Sequence, residues 1–395
     1  MNYRYLKYIK KLNQELTIQP GLIPILISTF GFGVALGGYL PLISLWLESS
    51  QVSFKNIGLV ISSTSLGIIC SAFLAPRVVN KVGYLNSLLF SLAAAIVLGV
   101  LFRYATSLNG WILVRFLGGL GLGIYWVVSE AWLGKIVSDK GRTRALSLYA
   151  VSMALGFTIG PGTIWITGYA GKLPFYTIAI LELISLIPLM TLKKFQPTPN
   201  IARLKTPFLL FKSAPTIAFG CLLVGFVDLT LISLLPALVT RSQTAVNELS
   251  LLLPSAIGLG NVLLQYPIAS LADRYDKRKV AGVLVITSIC LCSIIPFFLE
   301  NIFIALILTF FGCGLIYCVY TVSLSMLSMR FKNSDLISAN ASFVIIFELG
   351  NLFGPALAGI SIDLSLRYGL SIFLVSLGSI YLAVSIIRAR SPNYH

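Results

Sequence analysis

Twelve stretches of this chain are long and apolar enough to pass through a lipid bilayer, and nearly all the charge lies between them. They fall near 21–47, 56–75, 84–103, 109–133, 145–168, 173–192, 214–239, 248–270, 280–299, 301–328, 337–362 and 369–387. A helix needs roughly 20 apolar residues to cross a hydrocarbon core about 30 Å thick. Of the 395 residues, 57% are hydrophobic and 11% charged, whereas a soluble domain carries about 25% charged residues. Such a chain cannot cover itself with polar side chains, so its solvent is largely lipid. Lipid offers no partner to a backbone N–H or C=O, which leaves helical bundles and closed barrels as the only spanning structures. The runs are continuous rather than alternating, which argues against a barrel. An all-α membrane protein is expected. The first run follows Arg4, Lys7, Lys10 and Lys11, the order of a secretory leader. It is too long for a cleavable core, and no small-residue cleavage site ends it. It reads as the first helix.

The charge between the runs tests their number. The N-terminus, the even-to-odd connections and the C-terminus together hold 23 of the 29 Lys and Arg residues. The other connections hold only Lys55, Arg103, Lys172, Arg241 and Arg367, and Arg115 lies within a run. Positive charge marks the cytoplasmic side. A missed or invented helix would scramble the sides after it, so the bias supports twelve spans with both termini cytoplasmic in an inner or plasma membrane. It also accounts for most of the +16 net charge, leaving none that calls for nucleic acid.

The halves repeat. Lys193–Lys212, with Pro197, Pro199 and Pro207, is the longest polar stretch and divides six runs from six. Residues 1–192 and 214–395 therefore read as two lobes joined by a cytoplasmic linker, 193–213. Gly31-Phe32 recurs as Gly225-Phe226, Leu40-Pro41 as Leu235-Pro236, Gly67 as Gly260 and Gly118 as Gly312. Gly156, Gly160 and Pro161 recur as Gly350, Gly354 and Pro355. One such pair is chance; five in order at a near-constant offset point to duplication. Two six-helix, pseudo-symmetric lobes in the same orientation fit a transporter with its solute site between them.

Several chemistries are excluded or disfavoured. The six cysteines all lie inside apolar runs without zinc-ligand spacing, and the one histidine, His395, is the last residue. A histidine relay or histidine metal site is excluded. Gly118–Gly123 lies in an apolar helix without the strand context of a nucleotide loop. No P-loop lysine pattern exists, so direct ATP drive is disfavoured. No cofactor, metal or enzymatic activity is expected.

Two stretches carry a family resemblance. The loop after the eighth run reads Ala269-Ser270-Leu271-Ala272-Asp273-Arg274-Tyr275-Asp276-Lys277-Arg278-Lys279, and its counterpart after the second contains Arg77, Asn80, Lys81 and Gly83. The fourth run contains Arg115-Phe116-Leu117-Gly118-Gly119 and then Trp126-Val127-Val128-Ser129-Glu130. Over essentially its whole length the chain resembles the major facilitator superfamily. The first loop is similar to that family's G-x-L-a-D-r-x-G-r-k motif, with Ala269 and Asp276 in the glycine places. Arg115 and Gly119 match its R-x-x-x-G pattern. The W-V-V-x-E continuation, with Gly225-Phe226 and Leu235-Pro236, is most similar to the YcaD-like bacterial subgroup. The resemblance implies alternating access around a cavity lined by spans 1, 4, 7 and 10. A short acidic or amide side chain such as Asn80 suits a helix cap, and the basic residues anchor their loops at the interface.

Charges within lipid are costly, about 2.5–3.5 kcal/mol each, so Arg115, Glu182, Asp228 and Glu348 must be paired, protonated or turned to water. Asp228, mid-run on a cavity span, leads as the proton- or cation-coupling residue, with the alternative of a fixed polar partner. Arg115 matches an arginine that the resemblance ties to proton-coupled exchange; otherwise it snorkels to the outer surface. Glu348 flanks the expected cavity. Glu182, on a peripheral span, reads as a local hydrogen-bond partner or a protonated acid. Glu130 with Arg142 and Arg144, and Asn80, Lys81, Asp273 and Arg274, are candidates for an inner gate. Phe32, Tyr39, Tyr125, Trp126, Phe226, Tyr317 and Tyr320 are candidates to line the solute cavity, or to serve as ordinary packing. Gly156, Gly160 and Pro161 resemble a span 5 motif associated with exporters; glycines four apart also simply let helices approach.

The leading reading is a monomeric secondary transporter in the bilayer that moves a small organic molecule by alternating access, coupled to protons or another cation, with efflux favoured. A facilitated-diffusion or uptake carrier, and a non-transport assembly factor or receptor on the same fold, are the alternatives.

Overall fold

The computed structural model describes residues 21–136, 139–194, 196–198, 208–242, 251–331 and 333–389. The basic N-terminal segment, linker residues 199–207 and the C-terminal residues from 390 lie outside them. Twelve long helices account for most of the described chain. They are α1 (Leu22–Ser49), α2 (Phe54–Val82), α3 (Tyr84–Phe102), α4 (Leu108–Ile136), α5 (Asp139–Thr167) and α6 (Leu173–Met190). The second six are α7 (Pro215–Ser242), α8 (Leu253–Arg274), α9 (Lys277–Ile294), α10 (Ile302–Arg330), α11 (Asn333–Leu364) and α12 (Gly369–Ala389). Among the described residues, eleven are long and apolar enough to cross a membrane; α8, which carries Asn261, Gln265, Asp273 and Arg274, is the less apolar twelfth. Each helix overlaps one expected run. Several, α2, α5, α10 and α11 among them, continue past the apolar stretch, because an α-helix can carry its backbone hydrogen bonds out of the hydrocarbon into polar sequence.

Helix ends follow local chemistry. Ser53 caps α2 by accepting from the Asn56 N–H at 3.4 Å, and Asn301 caps α10 by accepting from Ile304 N–H at 3.3 Å. Asp276 caps α9, taking the Arg278 and Lys279 amides at 2.8 and 3.3 Å. These side chains satisfy amides that no helix turn can reach. Gly83, at φ 84°, forms the sharp corner between α2 and α3, a conformation that favours glycine.

Each half packs in the same way. In the first, α1 lies on α5 and α6, α2 on α4, and α3 on α4 and α6; in the second, α7 lies on α11 and α12, α8 on α10, and α9 on α10 and α12. Glycines enforce the contacts. A methyl on Gly156 of α5 would overlap the Phe30 carbonyl of α1, and one on Gly350 of α11 would overlap the Leu222 carbonyl of α7. Gly67 faces the Phe116 carbonyl and Gly260 the Phe310 carbonyl in the α2–α4 and α8–α10 pairs. For Gly67, Gly156 and their counterparts the glycine recurrence read from the sequence is thus a recurrence of contacts with a neighbouring backbone. Gly160 and Gly354 meet the backbones of α1 and α7 in the same manner. Gly118, by contrast, meets nothing within 4 Å where Gly312 meets Cys292, and Gly31 meets the Ser185 side chain where Gly225 meets the Phe347 carbonyl. Around both lobes Phe90, Ile166, Ile187, Phe303, Ile307 and Ile372 are exposed. That apolar girdle is untenable in water and ordinary in lipid.

The lobes meet along α1–α7, α2–α11 and α5–α8. We call the end where α1 begins basal and the opposite end distal. The contacts that draw the lobes closest are distal: Gly58 on the Pro355 carbonyl, Gly359 on the Phe54 carbonyl and Gly258 on Thr158.

Candidate functional site

A polar cluster sits halfway along the lobe interface. Asp228 is at the midpoint of α7, Tyr317 at the midpoint of α10, and Glu348 and Asn351 near the middle of α11. The Tyr317 hydroxyl donates to Asp228 Oδ1. The Asn351 side chain lies beside both the Asp228 and Glu348 carboxyls, and the Ser65 side chain of α2 reaches Glu348 from the other lobe. Glu348 is only 4% exposed, and its Oε2 has no hydrogen-bond partner among the described residues. On α2, the hydroxyls of Ser62 and Thr64 are also buried without hydrogen-bond partners among the described residues. Buried polar atoms are rarely left unsatisfied, and such groups generally mark water or a ligand. Two acids and an amide from one lobe therefore face Ser65 of the other.

The distal end is sealed across the lobes. Glu48 of α1, 4% exposed, accepts from Arg241 Nε of α7 at 3.2 Å. Arg241 also donates to the Val52 carbonyl at 2.8 Å and lies 4.4 Å above the Phe54 ring. Asp363, at the end of α11, accepts from the backbone amides of Phe54 and Lys55 at 2.9 and 2.8 Å. One lobe thus caps a helix start of the other. Sequence reasoning missed this group because Arg241 read as an ordinary connection charge and Asp363 belonged to no motif. The signal lay in acidic residues bounding spans 1 and 11 on a side poor in charge.

The basal candidates are more dispersed. Glu130 is exposed and accepts from Trp126 Nε1 at 2.8 Å, while Tyr320 of α10 lies within reach of its charge. The side chains of Arg142 and Arg144 lie outside the described residues. Lys277 pairs with Asp273 at 2.8 Å, so in this loop Asp276 rather than Asp273 caps the next helix. Arg274 ends α8. The cap expected from Asn80 is not made: Asn80 and Lys81 sit in the last turn of α2, and the α3 start at Gly83 has no side-chain cap. The glycine corner replaces it.

The aromatic candidates divide. Phe32 and Tyr125 stack with centroids 4.4 Å apart and are fully buried inside the first lobe, with the Tyr125 hydroxyl donating to Ser28 at 3.0 Å. Tyr39 is buried there too and donates to the Phe175 carbonyl at 3.3 Å. Trp126, Phe226, Tyr317 and Tyr320 are half-buried. Phe226 packs edge-on to Phe373, and Tyr320 to Phe343 and Phe347. Arg115 is 9% exposed and turned into the first lobe, so it does not snorkel outward.

Comparison with known proteins agrees with this architecture. The family model described as Major Facilitator Superfamily matches residues 25–244 and 217–394. The MFS-type transporter YfkF of Bacillus subtilis (strain 168) is 24% identical over 382 residues, covering 94% of this chain and 95% of that protein. The MFS-type transporter Ent638_1421 of Enterobacter sp. (strain 638) is 25% identical, covering 88% and 90%. Among solved structures, the nucleoside transporter NupG superposes with a TM-score of 0.75 at 15% identity, covering 93% of this chain and 97% of NupG. A D-xylose-proton symporter gives 0.72 at 16% identity, covering 92% and 96%. The structural matches concern the fold; the family match spans the chain. This protein belongs to the major facilitator superfamily and is a multi-pass membrane transporter rather than an enzyme.

Proposed function

We propose that the protein is a proton-coupled secondary transporter that moves a small organic solute by alternating access, with Asp228 and Glu348 as the proton-carrying groups. The observation that carries this reading is the Asp228–Tyr317–Asn351–Glu348 cluster, set midway along its helices and facing Ser65 of α2. Two carboxyls in one poorly hydrated site repel when both are charged, which favours a proton retained between them. A proton held there and released on the other side links solute movement to the proton gradient. With the termini cytoplasmic, as the charge bias indicates, the distal seal lies on the external side. Glu130, Arg142, Arg144, Asn80, Lys81, Asp273 and Arg274 then form the basal gate that closes when the distal seal breaks. Trp126, Phe226, Tyr317 and Tyr320 are the aromatic walls for the solute. Residues 1–192 and 214–395 act as the rocking lobes, 193–213 as the linker, and the unit is a monomer.

Export is the direction favoured by the Gly156, Gly160 and Pro161 motif and by the likeness of the Trp126–Glu130 segment to the YcaD-like subgroup. Purified protein is first screened by thermal shift against metabolites and drugs; hits enter flux assays in proteoliposomes. Asp228→Asn is expected to abolish flux driven by a pH gradient. Undiminished gradient-driven flux in that variant would remove Asp228 from coupling, and counterflow that ignores the gradient altogether would mark a facilitated-diffusion carrier.

A further inference from the structure

The two lobes carry a matched pair of cationic corners at their distal edge. In the first lobe the corner lies where α3 ends and α6 begins. Lys172 Nζ sits 5.1 Å from the centre of the Tyr104 ring. Arg103 stands close by: its Nε donates to the Gly171 carbonyl at 3.1 Å, and its guanidinium lies 5.1 Å from the centre of the Trp46 ring. The Tyr104 hydroxyl is within reach of both charges and shares a hydrogen bond with the Tyr176 hydroxyl. In the second lobe the corner lies where α9 ends and α12 begins. The Arg367 guanidinium is 5.8 Å from the centres of both the Phe297 and Tyr368 rings, which are 5.7 Å from each other. Ser371 ties these two helices by donating to the Ser293 carbonyl.

The positions correspond. Tyr104 and Phe297, Lys172 and Arg367, and Tyr176 and Ser371 are separated by the same near-constant offset as the repeated glycines. A cation over an aromatic face thus recurs at equivalent places, which chance pairing of surface side chains does not produce. The corners differ by one charge, since Pro296 stands at the place equivalent to Arg103.

No described acid neutralises these cations. Of the five basic residues between the spans on the distal side, Arg241 pairs with Glu48 in the seal. Arg103, Lys172 and Arg367 pair with no carboxylate among the described residues. Asp363 is taken up by backbone amides, and Glu300, in the loop after Phe297, forms no ion pair there. A ring face also leaves most N–H donors of an ammonium or guanidinium free. A phosphate oxygen supplies both the missing charge and the missing acceptor. The surroundings decide what carries it. Next to the cations and rings in the chain, Leu101, Leu173, Phe298 and Leu366 are exposed. Helices α3, α6, α9 and α12 take no part in the α1–α7, α2–α11 and α5–α8 contacts between lobes, so these edges face the bilayer rather than the solute path. Aromatic rings and basic side chains at helix ends are the composition of the headgroup level.

We propose that each corner binds the phosphate of an anionic phospholipid of the distal leaflet, one lipid per lobe, with the tighter site in the first lobe. Lys172 and Arg103 hold the phosphate there, joined by the hydroxyl proton that Tyr104 and Tyr176 do not use between themselves. Arg367 holds it in the second lobe. The acyl chains run along α3 and α6, or along α9 and α12. The assignment needs only the membrane fold and stands whatever solute the protein moves.

Native mass spectrometry of the full-length protein, delipidated in detergent and titrated with phosphatidylglycerol, tests it by counting retained lipids. Arg103→Gln combined with Lys172→Gln is expected to lower the count by one, Arg367→Gln by one, and all three together by two. Retention is expected to weaken about fivefold per basic residue removed. Lipids held elsewhere contribute equally to all variants. Lys172→Arg keeps the charge and should keep the lipid, which separates binding from a folding defect. Phosphatidylcholine, whose choline offsets its own phosphate, should be retained less than phosphatidylglycerol. An unchanged count in the triple variant, or equal retention of the two lipids by the wild type, overturns the proposal. Displacement of both lipids by millimolar inorganic phosphate would assign the corners to a free anion and overturn it as well.

Discussion

A carboxyl in the middle of a bilayer persists only in company, and the company is what separates the acids of this chain. Asp228 accepts from Tyr317 and lies beside Asn351, and Glu348 lies beside Asn351 and Ser65. Tyr317→Phe deletes a hydrogen bond to an acid. Such a bond to a charged group is worth about 1.5–3 kcal/mol, so gradient-driven flux in proteoliposomes is expected to fall by about ten- to a hundredfold. A flux within twofold of wild type would show that the bond does no more than fix a side chain. Asp228 and Glu348 were legible in the sequence because each is an acid inside an apolar run. Their partners were not, since Tyr317 is one more aromatic in an aromatic-rich helix and lies 89 positions from Asp228. Glu182 was legible as an acid inside an apolar run. Its helix is apolar on every side, so nothing in the pattern says that its tenth residue lines a small cavity with Tyr39 and Arg115.

At the scale of the helix, glycine positions decide which surfaces touch, and two classes do different things. Gly156 and Gly350 join helices of the same lobe, whereas Gly58 and Gly359 join α2 to α11 across the lobes at the distal end; in the alternating access proposed above, the first contacts are kept and the second part. Gly156→Ala is expected to lower the thermal unfolding midpoint in detergent, since overpacking costs about 1–3 kcal/mol. Gly58→Ala should instead leave lobe stability nearly unchanged and open the distal end. External labelling of Ser233→Cys on α7, in a background without the six native cysteines, reads that opening. Equal labelling with and without Gly58→Ala would count against the assignment. Each span was legible in place, with ends off by up to seven residues at α2, because lipid forces helical hydrogen bonding onto any apolar run of that length. Distinguishing the two classes of glycine was beyond the sequence, as both are simply glycines spaced along apolar helices.

For the whole molecule, the distal seal is the contact that the proposed rocking of the lobes must break. Asp363 holds two backbone amides that belong to the other lobe, and a helix cap is worth about 0.5–2 kcal/mol. Asp363→Ala should therefore raise the ratio of distal-open to distal-shut molecules by about 2- to 30-fold. Spin-label distances between the distal ends of α2 and α11 measure that ratio. Adding Glu48→Gln, which leaves Arg241 without its partner, should raise it further. A distance distribution identical to wild type in the double variant would place the energy of closure elsewhere. The duplication was legible from glycine spacing, but the seal was not, because it is built from residues 193 and 309 positions apart.

The matched backbone contacts of the two lobes have a consequence for inheritance. What the duplicated halves preserve is a set of places where nothing larger than hydrogen fits. The acids, the arginine and the aromatics stand outside those places, and the halves have diverged there: Arg115 and Glu182 lie in one, Asp228 and Glu348 in the other. Selection that guards a sparse lattice of glycines leaves the remaining surface open to drift. A lineage built on this plan can exchange its cargo through a handful of substitutions and still assemble the same machine.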